Sequence, residues 1–363
     1  MIKIQIIKLP RLAAGLKQRQ DGFAAFAVTL IMIIVLSLIV LGFASNARQE
    51  QRRAVDAQLS TTAYYAAESG VNDAYAVIKA DIGNTPTIIP PNQTSCTGGS
   101  YGGSAASNLS SNVAYTCLLV NTAPLSLNYV PLATGHGQVV PIFGQNGAGG
   151  VGVATPVKSI TISWQQDGAS SYNFSSCPSN DSFPARDSWP ASTCSAGMLQ
   201  VDIAPASGWT NQSQLQKDTK TVFLQPGHSA GSASISNGEV VSASCGSAAT
   251  GQYACTEDLS GGLPSAPNGT YYLHITPIYL SADLSITASS TSSDASGQLH
   301  LYNAQALIDS TGKASDELRR IQERVSINSV GNNDVPDNAL QIKNGICKQF
   351  TVRPFVVGIN TAC

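Results

Sequence analysis

Ser310-Thr311-Gly312-Lys313 is the string in this chain that comes nearest to catalytic chemistry. A serine three residues before a lysine fits S-x-x-K, the nucleophile motif of penicillin-binding enzymes. That chemistry needs the serine at the opening of a buried helix, with partner motifs elsewhere. Here the string lies in "LIDSTGKASDELRR", which reads as an Asp/Gly turn between two strands. It also approaches a phosphate-binding loop, but the first glycine of that loop falls at Leu307. There is no H-E-x-x-H. The histidines, His136, His228, His274 and His300, lie far apart in sequence. The expectation is a chain that is not an enzyme and carries no cofactor or metal. A surface hydrolase stays open as a third reading, because scattered catalytic residues need form no local motif.

Cysteine is the other residue type that could do chemistry. Cys96, Cys117, Cys177, Cys194, Cys245, Cys255, Cys347 and Cys363 include no C-x-x-C pair of the kind zinc sites favour. An even number beside an export segment reads as disulfides, with buried free thiols as the alternative. Eight cysteines allow 105 connectivities. Nearest neighbours are the simplest guess: Cys96–Cys117, Cys177–Cys194, Cys245–Cys255 and Cys347–Cys363. Each bridge would close a short loop and contribute about 2–4 kcal/mol.

Charge narrows the partners. Only 12% of the 363 residues are charged and the net charge is −2. Residues 1–22 hold Lys3, Lys8, Arg11, Lys17 and Arg19 against Asp21, a balance of +4 that leaves −6 on the rest. A body of that sign exerts no long-range pull on nucleic acid. In "ELRRIQERVSI", strand alternation puts Ile321, Val325 and Ile327 on one face and Arg320, Gln322 and Arg324 on the other. That polar face reads as solvated, so nucleic acid is not an expected partner. The sequons at Asn92, Asn108, Asn173, Asn180, Asn211 and Asn268 are what an Asn-, Ser- and Thr-rich chain produces by chance.

The elements that must position these residues begin with "GFAAFAVTLIMIIVLSLIVLGF". Phe23 to Phe43 is 21 residues without a charge, or about 31 Å of helix, which matches a bilayer core. Five Lys/Arg precede the run, and Arg48, Arg52 and Arg53 follow it. The expected orientation therefore places the N-terminus in the cytoplasm. A secretory signal has a shorter apolar core, although Ser45-Asn46-Ala47 would fit its cleavage site. Beyond the run, Val55, Leu59, Ala63, Ala67, Val71, Ala74 and Ile78 recur at steps of three or four, a helical stripe. Run and stripe predict one helix of roughly 55 residues. Its small residues, with Ala66 and Gly70 beside them, permit close approach to a sheet or to other helices. Glu68 reads as solvated.

With these residues in view, the chain resembles a type IV pilin-like protein. The basic leader ends in Gly22, and Phe23 would be the first mature residue. More narrowly, the region containing "AAESGVNDA" resembles the N-terminal part of PilX-type minor pilins, over about residues 15–80. The resemblance implies cleavage between Gly22 and Phe23 by a prepilin peptidase, with N-methylation of Phe23. It also implies passage of the helix from the membrane into a fibre through a pilus assembly platform. Major pilins carry a glutamate at the fifth mature position, where it pairs with a neighbour's free amine. Here that position is Ala27. A charged amine in an apolar core is costly without a partner. A minor, tip-proximal subunit is therefore expected, with other pilin subunits, the membrane, and a host or neighbouring cell surface as partners. The localisation implied is a single-pass membrane protein before assembly and an extracellular pilus component after it. The alternative is an anchored or secreted adhesin that is not processed as a pilin.

After Ile78 the pattern changes. Residues 81–110 read as a Gly/Ser/Pro-rich linker. Runs such as "VAYTCLLV", "VKSITISW", "MLQVDIA", "TVFLQP", "TYYLHITPIYL", "DLSITAS" and "FTVRPFVV" predict antiparallel strands. The fold class expected is α+β: a long N-terminal transmembrane helix, then a disulfide-stapled, mainly antiparallel β ectodomain. The divisions are leader 1–22, span 23–43, outer helix 44–80, linker 81–110 and β domain 111–363. A stapled surface insertion is expected at about 226–270. The resemblance adds a C-terminal disulfide loop, here Cys347–Cys363.

Overall fold

The computed structural model describes residues 21–84, 92–96, 108–110, 112–147, 152–168, 173–174, 177–178, 184, 188–227, 238–246, 253–291, 297–327, 350–353 and 356–359. The architecture is α+β. Helix α1 (Asp21–Asn84) is 64 residues long and is followed by a mainly antiparallel β body. By contacts the chain divides into two units, 1–61 and 62–363.

The described part of the first unit is helix. Its apolar stretch has no intrahelical reason to break, because Ala, Leu, Ile and Val hold no competing polar groups. Two hydroxyls interrupt that stretch, and both are satisfied locally. Thr29 Oγ1 donates to the Phe26 carbonyl at 2.9 Å, and Ser37 Oγ donates to the Ile33 carbonyl at 2.7 Å. Such back-bonding lets a hydroxyl sit in an apolar environment.

In the second unit the outer part of α1 packs on a four-stranded antiparallel sheet. Its strands are β1 (Asn108–Ser110), β2 (Val113–Asn121), β14 (Gln305–Ala314) and β15 (Glu317–Ser326), in the order β1-β2-β14-β15. Strands β14 and β15 pair from Gln305↔Ser326 to Ala314↔Glu317 around a tight turn at 315–316, where Ser315 has φ +55°.

The remaining body is one large sheet. Its path starts with β13 (His300–Tyr302), β4 (Gln138–Asn146), β11 (Tyr271–Ile278), β7 (Met198–Pro205) and β8 (Lys220–Gly227). It continues through β9 (Glu239–Cys245), β10 (Cys255–Asp258), β6 (Ser159–Gln166), β12 (Ala282–Ser289) and β3 (Leu127–Leu132). Short β5 (Val153–Ala154) pairs with β4, and β8–β9 is a parallel pair among antiparallel ones. Helix α2 (Gln212–Asp218) lies between β7 and β8 and is capped by the Asn211 side chain, which accepts from Gln214 N. Strands β16 (Phe350–Arg353) and β17 (Val356–Ile359) form a separate hairpin.

Period-two burial fixes the faces of this sheet. On β11, Tyr271, Leu273 and Ile275 are buried while Tyr272, His274 and Thr276 are half-buried. The buried faces meet in one core that includes Ile142, Ile162, Trp164, Val201, Leu224, Leu273 and Ile286. Strand β12 touches β4 and β13, which lie far from it along the path, so the sheet curls over its own inner face. Trp164 is fully buried, and its Nε1 donates to the Gly197 carbonyl at 2.9 Å, which satisfies the indole.

Several expectations change. The segment 226–270 is not a surface insertion: it supplies β9 and β10, which join β8 to β6 in the middle of the large sheet. The Ser, Ala and Gly of this segment hid the strands, although Val241, Ala243 and Cys255 are buried in the core. Ser310–Lys313 is not a turn but the second half of β14, and the turn follows at 315–316. Within the expected linker, α1 runs on to Asn84, Gln93 pairs with Val120, and β1 occupies 108–110. Strands β3 and β4 lie in a stretch whose Pro131 and Pro141 obscured the alternation.

Candidate functional site

Gly22 and Phe23 lie in the first turn of α1, and Ala27 is partly exposed one turn later. From Phe26 to Phe43 the large apolar side chains are 46–71% exposed, and none of the described residues covers them. Monomers in water do not carry a surface of this size uncovered. The helix is long and apolar enough to cross a membrane. Disulfides in the β body fit an oxidising exterior.

The stripe divides along its length. Val55 is 53% exposed and Leu59 half-buried, whereas Ala63, Ala67, Val71, Ala74 and Ile78 are 0–3% exposed. The buried part meets Tyr115, Leu118, Val120, Ala306 and Ile308 of the four-stranded sheet. Contact is closest at two glycines. A Cβ on Gly312 would fall well under 3.0 Å from the Ala63 carbonyl oxygen and the Ala67 nitrogen. A Cβ on Gly70 would strike Ser310 Oγ and the Tyr115 ring. Helix backbone therefore rests directly on strand backbone, a seam that only small residues on both sides allow. The Tyr115 hydroxyl donates to Asp73 at 3.1 Å beside it.

That seam also disposes of the S-x-x-K string as a site. Ser310 is fully buried beneath Gly70, while Lys313 is exposed. A nucleophile and its base must lie within hydrogen-bond reach of each other and of substrate; these two do not converge on any surface. On the opposite, outward face of α1, Tyr64, Tyr65 and Glu68 are exposed, and the two rings meet edge to face at 5.8 Å.

The cationic face of β15 is engaged within the chain. Arg320 forms a two-pronged pair with the buried Asp309 carboxylate, which raises the guanidinium pKa through the hydrogen bonds and the opposite charge. Arg324 Nη1 donates to the Ser126 carbonyl at 2.7 Å, and burial lowers its pKa. Among the described residues β15 is an edge strand, and its row of charges suits an edge that must not pair with other chains.

One titratable pair escaped the sequence because its members are 72 positions apart. His274 Nδ1 lies 3.2 Å from Asp202 Oδ2, where β11 and β7 run side by side. Burial pushes the Asp202 carboxyl up, but hydrogen bonds from His274, Thr221 and Gln200, with the His274 charge, outweigh it and hold the pKa below the ordinary range. Thr221 Oγ1 donates to Asp202 at 2.6 Å, so one carboxylate engages both the hydroxyl and the imidazole. Glu257 departs the other way: burial first, and then Asp258, push it up to about 7.

Three disulfides join nearest neighbours: Cys96–Cys117, Cys177–Cys194 and Cys245–Cys255, with Cα–Cα separations of 4.4, 4.8 and 4.1 Å. The last links directly paired residues of β9 and β10. Cys347 and Cys363 lie outside the described residues. Beside that disulfide, the outward face carries an in-register row across five strands, Ser244, Thr256, Ser163, Ser285 and Asn128. Ser163 and Thr256 hydroxyls are 3.0 Å apart, as are Ser285 Oγ and Asn128 Oδ1. No local motif announces this row; it exists only once the strands are in register.

Comparison with known proteins finds no matching family model, no matching curated protein and no matching solved structure.

Proposed function

We propose that the chain is a minor, tip-proximal pilin-like subunit of a type IV pilus or related fibre, acting in assembly and surface contact. The observation that carries this reading is the uncovered, uncharged helix surface from Phe26 to Phe43, on the same helix as the glycine-lined seam that carries the β body. Such a rod is compatible with lipid and, equally, with a bundle of similar helices, because both surroundings are apolar and neither requires a charge. Ala27 offers no carboxylate to a neighbour's amine, which supports a position that stacks few subunits on itself. The proposed partners are a prepilin peptidase, the assembly platform and other pilin subunits.

N-terminal mass spectrometry of the protein from its native cell tests the reading. A mature start at N-methylated Phe23 is expected; an intact Met1 or a start near Arg48 refutes it. A second reading, a tethered or secreted adhesin, is favoured by the uncharged hydroxyl row on the β body, which has no part in helix packing. Intact fibres with lost attachment in a deletion strain would select the adhesin, whereas loss of fibres would select the assembly role.

A further inference from the structure

The geometry points to a binding site for an anionic phospholipid headgroup at the outer end of the apolar segment, held by Arg48 and Arg52. Both residues lie on the helix face that Leu41, Ala44 and Ser45 carry out of the apolar run, and with Gln49 they line one shallow groove. The spacing from 41 through 45 and 48 to 52 keeps these side chains on one side of the helix. Arg53 is taken by Glu50, at 3.1 Å. Among the described residues, neither Arg48 nor Arg52 is joined to a carboxylate in an ion pair. Asp56 borders the continuation of the groove beyond Arg52, one turn farther from the apolar run.

Depth makes the match to a headgroup. At about 1.5 Å per residue, the Arg48 backbone stands roughly 7.5 Å past Phe43 and the Arg52 backbone roughly 13.5 Å. The polar layer of a leaflet is about 5–8 Å thick. Helical side chains point back toward the N-terminus, here toward the membrane, so both guanidinium groups stand nearer the headgroups than their backbones do, and the Arg52 side chain reaches back into the level of the polar layer. Two forked donors one turn apart then face the plane of the phosphates, which guanidinium groups bind through paired hydrogen bonds. The site holds the helix at a fixed depth until it is withdrawn from the bilayer.

This inference rests on the helix residing in a membrane, so the test separates the two. Partition of the full chain into neutral phosphatidylcholine vesicles reads the apolar segment alone; recovery in the aqueous phase overturns the membrane reading and this site with it. Native mass spectrometry of the chain released from mixed vesicles then compares retained phosphatidylglycerol with phosphatidylcholine. A preference for phosphatidylglycerol on the order of tenfold is expected from two partly screened cations. Arg48→Gln/Arg52→Gln should enter vesicles normally and lose that preference, while Lys79→Gln keeps it. An unchanged preference in the double variant overturns the site. Displacement of the lipid by millimolar inorganic phosphate would mark a free-phosphate site and overturn the lipid assignment.

Discussion

The side-chain amide of Gln305 takes the place of a strand for Asn128: it accepts from the Asn128 N–H at 2.9 Å and donates to the Asn128 carbonyl at 2.7 Å. Gln305 opens β14 of the small sheet, and Asn128 lies on β3, the last strand of the large one. One amide thus satisfies two backbone groups at the place where the sheets meet. Replacing it by Leu leaves both unsatisfied, at about 1–3 kcal/mol for each buried group. Gln305→Leu should lower the urea midpoint of the β body clearly, and Gln305→Glu, which sets a buried carboxylate oxygen against the Asn128 carbonyl, should lower it at least as far at neutral pH. An unchanged midpoint in Gln305→Leu would show that water replaces the amide.

The two glycines of the seam and the glycine of the apolar run should respond in opposite ways. Gly312→Ala forces strand and helix backbones apart, which costs about 1–3 kcal/mol as overpacking and exposes the outer part of α1 to protease. A Cβ on Gly42 meets nothing within 4 Å, and alanine there improves helix propensity. Limited proteolysis of the two variants side by side gives the comparison. Equal resistance would refute the close approach.

Glu257 predicts a pH dependence with a definite sign. Its folded pKa, about 7, lies above the ordinary 4.5 because burial, and then Asp258, disfavour the charged form. A raised folded pKa contributes stability fully below the ordinary value, and that contribution is lost as pH rises through about 7. The β body should therefore lose roughly 2–3 kcal/mol between pH 4.5 and pH 8 from this group. Glu257→Gln should flatten that slope in a denaturation series; a slope identical to wild type removes Glu257 as its source.

Removing the β9–β10 bridge tests whether the central strands need covalent help. Cys245→Ser/Cys255→Ser opens a loop with a sequence separation of 10, worth about 3 kcal/mol in the chain-entropy picture. Thermal unfolding should shift down by several degrees. No shift would mean that sheet pairing alone fixes this region.

Much of this architecture was legible in the residues. The uncharged run, the small stripe and the β-branched runs each announce a local period, and the α+β order follows from them. What stayed hidden depends on partners distant in sequence. Gly312 gives no sign of its role until Ala63 and Ala67 lie over it. His274 and Asp202 become a pair only when β11 lies beside β7. Strands β9 and β10 were masked because Ser, Ala and Gly carry a weak alternation signal, although the strands sit at the centre of the sheet. A side chain's own chemistry can be read alone; its neighbours across a sheet cannot.

The line running from Ser244 to Asn128 is built from groups that carry no charge. Alcohol and amide groups neither gain nor lose protons across the range that living cells tolerate. Dissolved ions screen charges and leave such groups nearly untouched. On the adhesin reading, contacts made through this row alone would change little with acidity or salt, whereas contacts that also reach Asp258 and Asp283 on the same face would change with both.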